Sequence, residues 1–430
     1  MSRATTNGTG PGFATVAGQG TVRFPKAGIV SNYGSSGGDF FGNSVKATWA
    51  AIPYVVNITG KTNLSNMFQS YTGLVTSPPM DTSSATNVTQ LFYQCTALKD
   101  IYPYNTSNVT NFQYMFNGCT ALTAVPTLDT SKATGTNQMF GSCSALTSVP
   151  LYDTHLVTNA SAMFQNCNAL ASPPLFDLSK VTDASAMFNN CNSSTFTTIP
   201  AYNLVLATNL SSMLQGCTWL TSVGAMTTSA ATNMSQMFQS CTHLATAPSL
   251  DTSHVTNMSQ MFTSCSALTS VPTYDTHLVT NMTQMFNSCT SLTSTPAFGT
   301  TALTGSNVNN FAAGCTSLTS VGLFGTANCT DVTSMFQNCS ALTSIPAFDF
   351  NSVTNATGVF SGCTSLTSIG ILNMKASFSI VGTQLNATNL NTLFTNLGTG
   401  TGKTITITGV PGAATCDRSI ATAKGWTVTG

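Results

Sequence analysis

Twelve cysteines recur along this chain at nearly fixed intervals, and that interval constrains the fold more than any other feature. They are Cys95, Cys119, Cys143, Cys167, Cys191, Cys217, Cys241, Cys265, Cys289, Cys315, Cys339 and Cys363; most steps are 24 residues and two are 26. A fixed period of this size marks a solenoid, a stack of similar coils around one continuous core. Such a stack grows without widening its core, so 430 residues do not have to split into two or three globular domains.

The coil from Asp251 to Tyr274, DTSHVTNMSQMFTSCSALTSVPTY, shows what each position does. Three residues before Cys265 sits Phe262. The same place holds Phe68, Phe92, Phe116, Phe140, Phe164, Phe188, Phe238, Phe286, Phe336, Phe360 and Phe394, with Leu214 and Ala312 as exceptions. Each buried Phe contributes about 1.5–3 kcal/mol over an exposed one, so this column is the expected spine of the core. Met237, Met261, Met285 and Met335 precede it, a flexible residue suited to gaps between coils. Leu98, Leu146, Leu268 and Leu342 follow the cysteine by three, and Val125, Val149, Val271 and Ile345 by six. Pro126, Pro150, Pro272 and Pro346 come next; proline cannot donate to a strand ladder and ends the element. Leu-Thr-Ser-Val is therefore expected as a short strand, stacked in parallel about 4.8 Å from its neighbours. Asn-Met-Ser-Gln-Met-Phe is expected as a short helix or helical turn.

Eight residues before the cysteine lies a polar column: Asn63, Asn87, Asn111, Asn159, Asn209, Asn233, Asn257, Asn281, Asn307, Asn355 and Asn389, with Asp183, Asp331 and Gly135 as replacements. Asn at a fixed place in a turn caps free backbone groups. The column counts about 14 coils, a stack of roughly 65–70 Å at about 4.8 Å per coil. Tyr71 and Leu397 stand at the cysteine position of the two end coils, where atypical residues belong. One cysteine per coil indicates buried thiols, small and apolar; disulfides between adjacent coils are the alternative.

These columns, with the phrases VTNMSQMF and CSALTSVP, resemble the BspA-like leucine-rich repeat surface proteins over residues 60 to 370, with a related end to about 400. The chain departs from that pattern in its Pro after the strand and its very low charge. The fold expected is an α/β repeat solenoid, a leucine-rich-repeat-like stack of about 14 coils with short parallel strands and short helical turns. The resemblance implies a binding or structural scaffold and carries no catalytic residues. The tail ITGVPGAATCDRSIATAKGWTVTG resembles closing segments of such repeats in phage-encoded proteins. It is expected as a strand over Thr404–Gly409, a turn and short helix over Cys416–Lys424, and a strand over Trp426–Thr429. The domain reading is a cap or attachment segment at 1–55, the solenoid at 56–400 and a C-terminal cap at 401–430. Phe24, Phe40, Phe41, Trp49 and Tyr54 supply packing groups to the first of these.

Charged residues make up only 6% and the formal net charge is zero. Nucleic acid is excluded on that ground, because phosphate binding needs concentrated Lys and Arg, and so is a polybasic membrane contact. No segment reaches the roughly 18 apolar residues needed to span a bilayer, and the start lacks the apolar core of a signal peptide. A virion location is expected, with an extracellular or cell-surface location as the alternative.

Seven of the twelve acidic residues share one column: Asp81, Asp129, Asp153, Asp177, Asp251, Asp275 and Asp349. A repeated Asx turn is the expected role; a calcium ion shared by Asp129, Asp153 and Asp177 is the alternative, since calcium favours clustered oxygens. His155 and His277 occupy matching places, and no His/Cys spacing suits zinc. GTGTGKT at Gly398–Thr404 lacks the first glycine of a phosphate loop, with Leu397 in its place. Thr147, Thr221, Thr269, Thr293, Thr319, Thr343 and Thr367 form a column of hydroxyls, an uncharged strip for glycan, protein or ordered water, or plain solvent-facing strand chemistry. No catalytic residue and no cofactor is expected. The function expected is a non-enzymatic surface or virion scaffold or adhesin, with a purely structural capsid-decoration or filament subunit as the alternative. Partners are an assembly protein or a surface glycan or receptor, and a homo-oligomer is compatible with the sequence.

Overall fold

The computed structural model describes residues 12–16, 20–24, 56, 58–299 and 308–430, and the chain divides into two compact units, Met1–Leu170 and Ala171–Gly430. Phe40, Phe41, Trp49, Tyr54 and Asn307 lie outside the described residues. Within 1–55, β1 (Gly12–Val16) and β2 (Gly20–Phe24) form an antiparallel pair.

Both units are built of stacked coils, as the period requires, and the polar column is where neighbouring coils pair in parallel. In the first unit the bridges run Asn63 to Asn87, Asn111, Gly135 and Asn159; in the second they run Asp183 to Asn209, Asn233, Asn257 and Asn281, and again from Asp331 to Asn355. Each Asn caps its own turn. The Asn257 Oδ1 accepts the Ser259 N–H at 3.0 Å, and Asn87 does the same for Thr89 at 2.9 Å.

The segment after each Asn, expected as a short helix or a helical turn, is a run of turns and not a helix. In the coil of Cys265, alternate N–H groups turn in different directions. Those of Met261, Thr263 and Cys265 bond to carbonyls three residues back, at 3.3, 3.1 and 3.0 Å. Those of Met258, Gln260, Phe262 and Ser264 bond forward to Asn281, Thr283, Met285 and Asn287 of the next coil, at 2.9, 2.8, 2.9 and 2.7 Å. A helix would keep every N–H inside the segment. Here the neighbouring coil takes half of them, and the chain becomes a run of linked β-turns. The geometry needs a left-handed residue every fourth place: φ is 57° at Gln260 and 61° at Ser264. Asn, Ser, Gln and Gly fill most such places, whereas a β-branched side chain there is strongly disfavoured. Gln260→Val is expected to destabilise the protein by about 1–3 kcal/mol. Its urea midpoint should fall below that of Gln260→Gly, which loses the same amide contacts without the backbone strain; equal midpoints would refute the strain argument.

The strand expected after each Leu forms in some coils only, and there it is short. In the second unit β3 (Thr198–Ile199) pairs in parallel with β5 (Ser222–Val223) and β7 (Ser344–Ile345) with β8 (Ser368–Ile369), while β4 (Tyr202–Asn203) and β6 (Met226–Thr227) pair beyond the corner at Pro200 and Gly224. In the first unit the same segment forms the single bridge Thr76–Asp100. Proline ends the strand yet stays useful, because its carbonyl is free. Tyr104, Tyr152, Tyr202 and Tyr274 donate to the carbonyls of Pro78, Pro126, Pro174 and Pro248 at 2.8, 3.2, 2.7 and 2.8 Å.

The core follows the phenylalanine column. In the first unit, successive rings from Phe68 through Phe92, Phe116 and Phe140 to Phe164 stack with centroids 5.5–5.8 Å apart. In the second, Phe262 lies 5.4 Å from Phe238 and 5.8 Å from Phe286. Where Ala312 breaks the column, Phe311 takes its place but turns 89° to Phe286. The thiols are buried alongside. Cys265 Sγ donates to the Phe238 carbonyl at 3.0 Å, and Cys119 to that of Phe92 at 3.2 Å. Burial pushes Cys143, Cys217, Cys265, Cys315 and Cys363 up to about 12, so they are neutral at physiological pH, not nucleophiles.

The second unit ends differently. β9 (Phe378–Ser379), β10 (Lys403–Thr406) and β11 (Trp426–Thr429) make a parallel sheet in the order β11-β10-β9. Between them lie α1 (Ala387–Asn396), a 3-10 turn at Pro411–Ala414 and α2 (Ser419–Thr422). Asn389 therefore leaves the Asn column: it lies inside α1, whose cap is Asn386, with the Asn386 side chain accepting the Asn389 N–H at 2.9 Å. Lys424 Nζ caps the other end, donating to the carbonyls of Thr395 and, at 2.7 Å, Leu397.

Candidate functional site

The threonine strip lies on the surface, and its hydroxyls have work of their own. Thr147 Oγ1 donates to the Thr123 carbonyl one coil earlier at 3.1 Å, Thr221 to Thr197 at 3.0 Å, and Thr269 to Ala245 at 3.0 Å. Thr293, Thr319, Thr343 and Thr367 continue the pattern to Thr269, Thr293, Thr319 and Thr343 at 3.4, 3.0, 3.2 and 3.0 Å. The strip thus presents methyl groups and acceptor lone pairs, with its donors spent on holding coils together. A second ladder of this kind runs beside the Asn column, as in Thr256 to Thr232 and Thr280 to Thr256 at 3.1 and 3.2 Å. A buried set bonds the other way: Thr228 donates forward to the Asp251 carbonyl and Thr252 to that of Asp275, both at 2.9 Å. Thr319→Val keeps the shape and removes one donor. It is expected to cost about 0.5–1 kcal/mol in chemical unfolding; a stability gain would show that the ladder contributes nothing.

The carboxylates sit in Asx turns. Asp129 Oδ1 accepts from the Ser131 N–H and hydroxyl at 3.0 and 2.7 Å. Asp153 Oδ1 accepts from the His155 N–H at 3.2 Å and meets its ring Nδ1 at 2.6 Å. Asp177 Oδ1 accepts from Ser179 N–H at 2.9 Å. The Ser131 and His155 hydrogen bonds hold Asp129 and Asp153 below the usual carboxylate range. Among the described residues, no three His, Cys, Asp or Glu side chains group where a metal ion could be held. Asp275 and His277 repeat the Asp153 arrangement at 2.8 Å. A cavity of about 210 Å³ beside Leu323, Phe324 and Ala347 is edged by Asp349, which accepts from Asn351 N–H at 3.1 Å and Asn373 Nδ2 at 3.0 Å. GTGTGKT runs into the strand β10 and not into a helix, and its first carbonyl, that of Gly398, receives the Trp426 Nε1–H at 2.8 Å. It has no helix N-terminus to offer a phosphate.

Two features escaped the sequence reading. One is a ladder of amides: Gln215 Nε2 donates to Gln239 Oε1, and Gln239 and Gln236 both donate to Gln260 Oε1, at 3.1 and 2.8 Å. The other is an exposed stack of Trp219 on His243, with centroids 4.5 Å apart. Its signal was present in the sequence. Two residues after the cysteine, other coils carry Ala or Ser, as at Ala145, Ala267, Ser291 and Ala341.

A family profile described as "Mycoplasma protein of unknown function, DUF285" matches residues 62–175, 174–269, 208–321, 246–372 and 302–396. No curated protein sequence matches the chain. Among solved structures, it is similar to a leucine-rich cell surface protein of Faecalibacterium prausnitzii at 18% identity, covering 79% of this chain and 90% of that one with a TM-score of 0.35. A leucine-rich repeat protein of Bacteroides ovatus is similar at 15% identity over 88% and 92% of the two chains, with a TM-score of 0.38. The functional domain of InlJ from Listeria monocytogenes, which includes a cysteine ladder, matches at 15% identity over 80% and 74%, with a TM-score of 0.25.

Proposed function

The chain belongs to the DUF285 family, and from that premise we propose that it is a non-enzymatic binding scaffold, displayed at a cell surface or on a virus particle. One observation carries the reading. The repeated hydroxyls and carboxylates are tied to backbone within and between coils, which makes them parts of the framework and not a reaction centre. A partner on the threonine strip meets methyl groups and acceptor oxygens without charge. In the second unit we assign Thr221, Thr269, Thr293, Thr319, Thr343 and Thr367 to that strip, and Thr147 to the equivalent column of the first unit. Recognition there works by short-range hydrogen bonding and shape, not by electrostatic capture. Residues 1–55 are proposed as the attachment segment and 401–430 as a closing segment.

The test is binding of the purified protein to intact cells. Saturable binding is expected, and it should change little between about 0.05 and 0.5 M salt, where charge-driven binding would collapse. Steep loss with salt would overturn the short-range mechanism. Release of reducing ends from a polysaccharide would overturn the non-enzymatic reading. Regular polymers by light scattering, with no cell binding, would favour the structural-subunit alternative.

A further inference from the structure

We propose that Trp219 and His243 form a binding platform for neutral carbohydrate. The inference rests on the scaffold reading and names a ligand class and a place for it.

The two rings stand where the repeat gives no reason for large side chains. Their column carries Ala267 in the next coil and Ser291 in the one after, so packing between coils is satisfied by a methyl or hydroxymethyl group. Trp219 is 42% exposed, whereas Trp426 is buried at 3%. The exposed indole is also held in place. It stacks on the His243 imidazole at 4.5 Å and 23°. That ring is itself fixed, with Nδ1 2.7 Å from the Thr218 carbonyl. A carbonyl only accepts, so Nδ1 carries the hydrogen, and Nε2 is the nitrogen left to face a ligand.

The coil before Trp219 is one of the two that depart from the 24-residue period: Cys191 to Cys217 is 26 residues. The extra residues fall in Asn-Ser-Ser-Thr, 192–195, just ahead of the buried Phe196. β3 pairs with β5 as Thr198 to Ser222, and Thr221 N–H donates to the Thr197 carbonyl at 2.8 Å. Carried back two residues, that register assigns Thr195 and Trp219 to the same column of adjacent coils. Ser193 Oγ and Thr195 Oγ1 are 2.9 Å apart. One face of the indole is thus taken by the His243 ring, the side chain stays 42% exposed, and the preceding coil carries the hydroxyls of Ser193 and Thr195 ahead of the same column.

This combination fits a pyranose. The face of an indole is electron-rich and attracts the polarised C–H groups of a sugar ring. The ring's hydroxyls then find Ser193, Thr195 and His243 Nε2 at its edges. A protein partner would call for apolar neighbours that exclude water around the aromatic anchor, and the flanking residues are Ser and Thr. A phosphorylated or sulfated ligand would call for Arg or Lys, and neither occurs in residues 191–197, 217–222 or 241–246.

The experiment uses the full chain on an array of neutral oligosaccharides: β-glucan, chitin, mannan and galactan oligomers. Solution titrations of wild type, Trp219→Ala, Trp219→Phe and His243→Ala follow, with matching thermal melts as the folding control. At least one oligomer is expected to bind. Affinity should fall at least about tenfold in Trp219→Ala, the scale for truncating a central Trp, less in Trp219→Phe, and measurably in His243→Ala. Binding that survives Trp219→Ala overturns the platform and leaves the scaffold reading standing. Cell binding that depends on Trp219 but is abolished by protease treatment of the cells, with no oligomer bound, overturns the ligand class in favour of a protein. Absence of both oligomer and cell binding removes the scaffold reading itself.

Discussion

Phe262→Ala is expected to lower stability by about 3–5 kcal/mol, the cost of deleting a buried aromatic side chain and leaving its cavity. The ring is fully buried and has partners on three sides: Phe238 at 5.4 Å, Phe286 at 5.8 Å and Tyr274 at 6.2 Å. Collapse into the space is blocked. The Phe262 N–H is bound to Met285 of the following coil, and its carbonyl receives the Cys289 thiol at 3.0 Å. Both backbone groups are therefore pinned at the spacing that the missing ring used to fill. A guanidinium titration reads the loss, and amide exchange locates it, since coils in a stack lose protection nearest the defect first. A midpoint equal to that of the wild type would contradict the stacked spine.

Gly322→Ala is the second large effect, and it comes from crowding. A Cβ at Gly322 would lie 2.2 Å from the Pro296 carbonyl carbon and oxygen and 2.3 Å from the Ala297 nitrogen. These are backbone atoms, which cannot rotate aside. Nor can the glycine retreat, because its N–H donates to both the carbonyl and the hydroxyl of Thr295 at 3.1 Å. The expected loss is about 3 kcal/mol, the upper end for overpacking, read by thermal or urea unfolding. A change within about 0.5 kcal/mol, as at an ordinary surface site, would refute the close approach.

Legibility in the sequence followed the physics of each column. The Phe, Leu and Cys columns were readable because burial tolerates few residue types, and the structure buries them throughout the described coils. Proline marked the strand ends for a reason stated by its chemistry. For the turn run the sequence leaves a short helix and a turn both open. Its pattern of Met and Phe is compatible with helical spacing, and the deciding competitor, the next coil's carbonyls, is 23 residues away in the sequence. The threonine column was visible, but its use was not, since a hydroxyl bonded to a carbonyl 24 residues back looks like any exposed Thr. The Trp219–His243 pair is invisible to periodicity, because it is a break in its column.

The bonds that join coils have one property with a consequence for how such chains change. They connect residues by offset, typically 23 forward for turn N–H groups and 24 backward for threonine hydroxyls, and not by particular identity. Excising one whole period inside a unit, for example from Asn233 to Thr256, brings equivalent donors and acceptors face to face again. Excising one residue fewer shifts every bond across the junction by one residue. Gain or loss of whole periods by unequal recombination thereby keeps the full set of bonds, whereas any other size has to be taken up in a bulge, as the two extra residues are at 192–195.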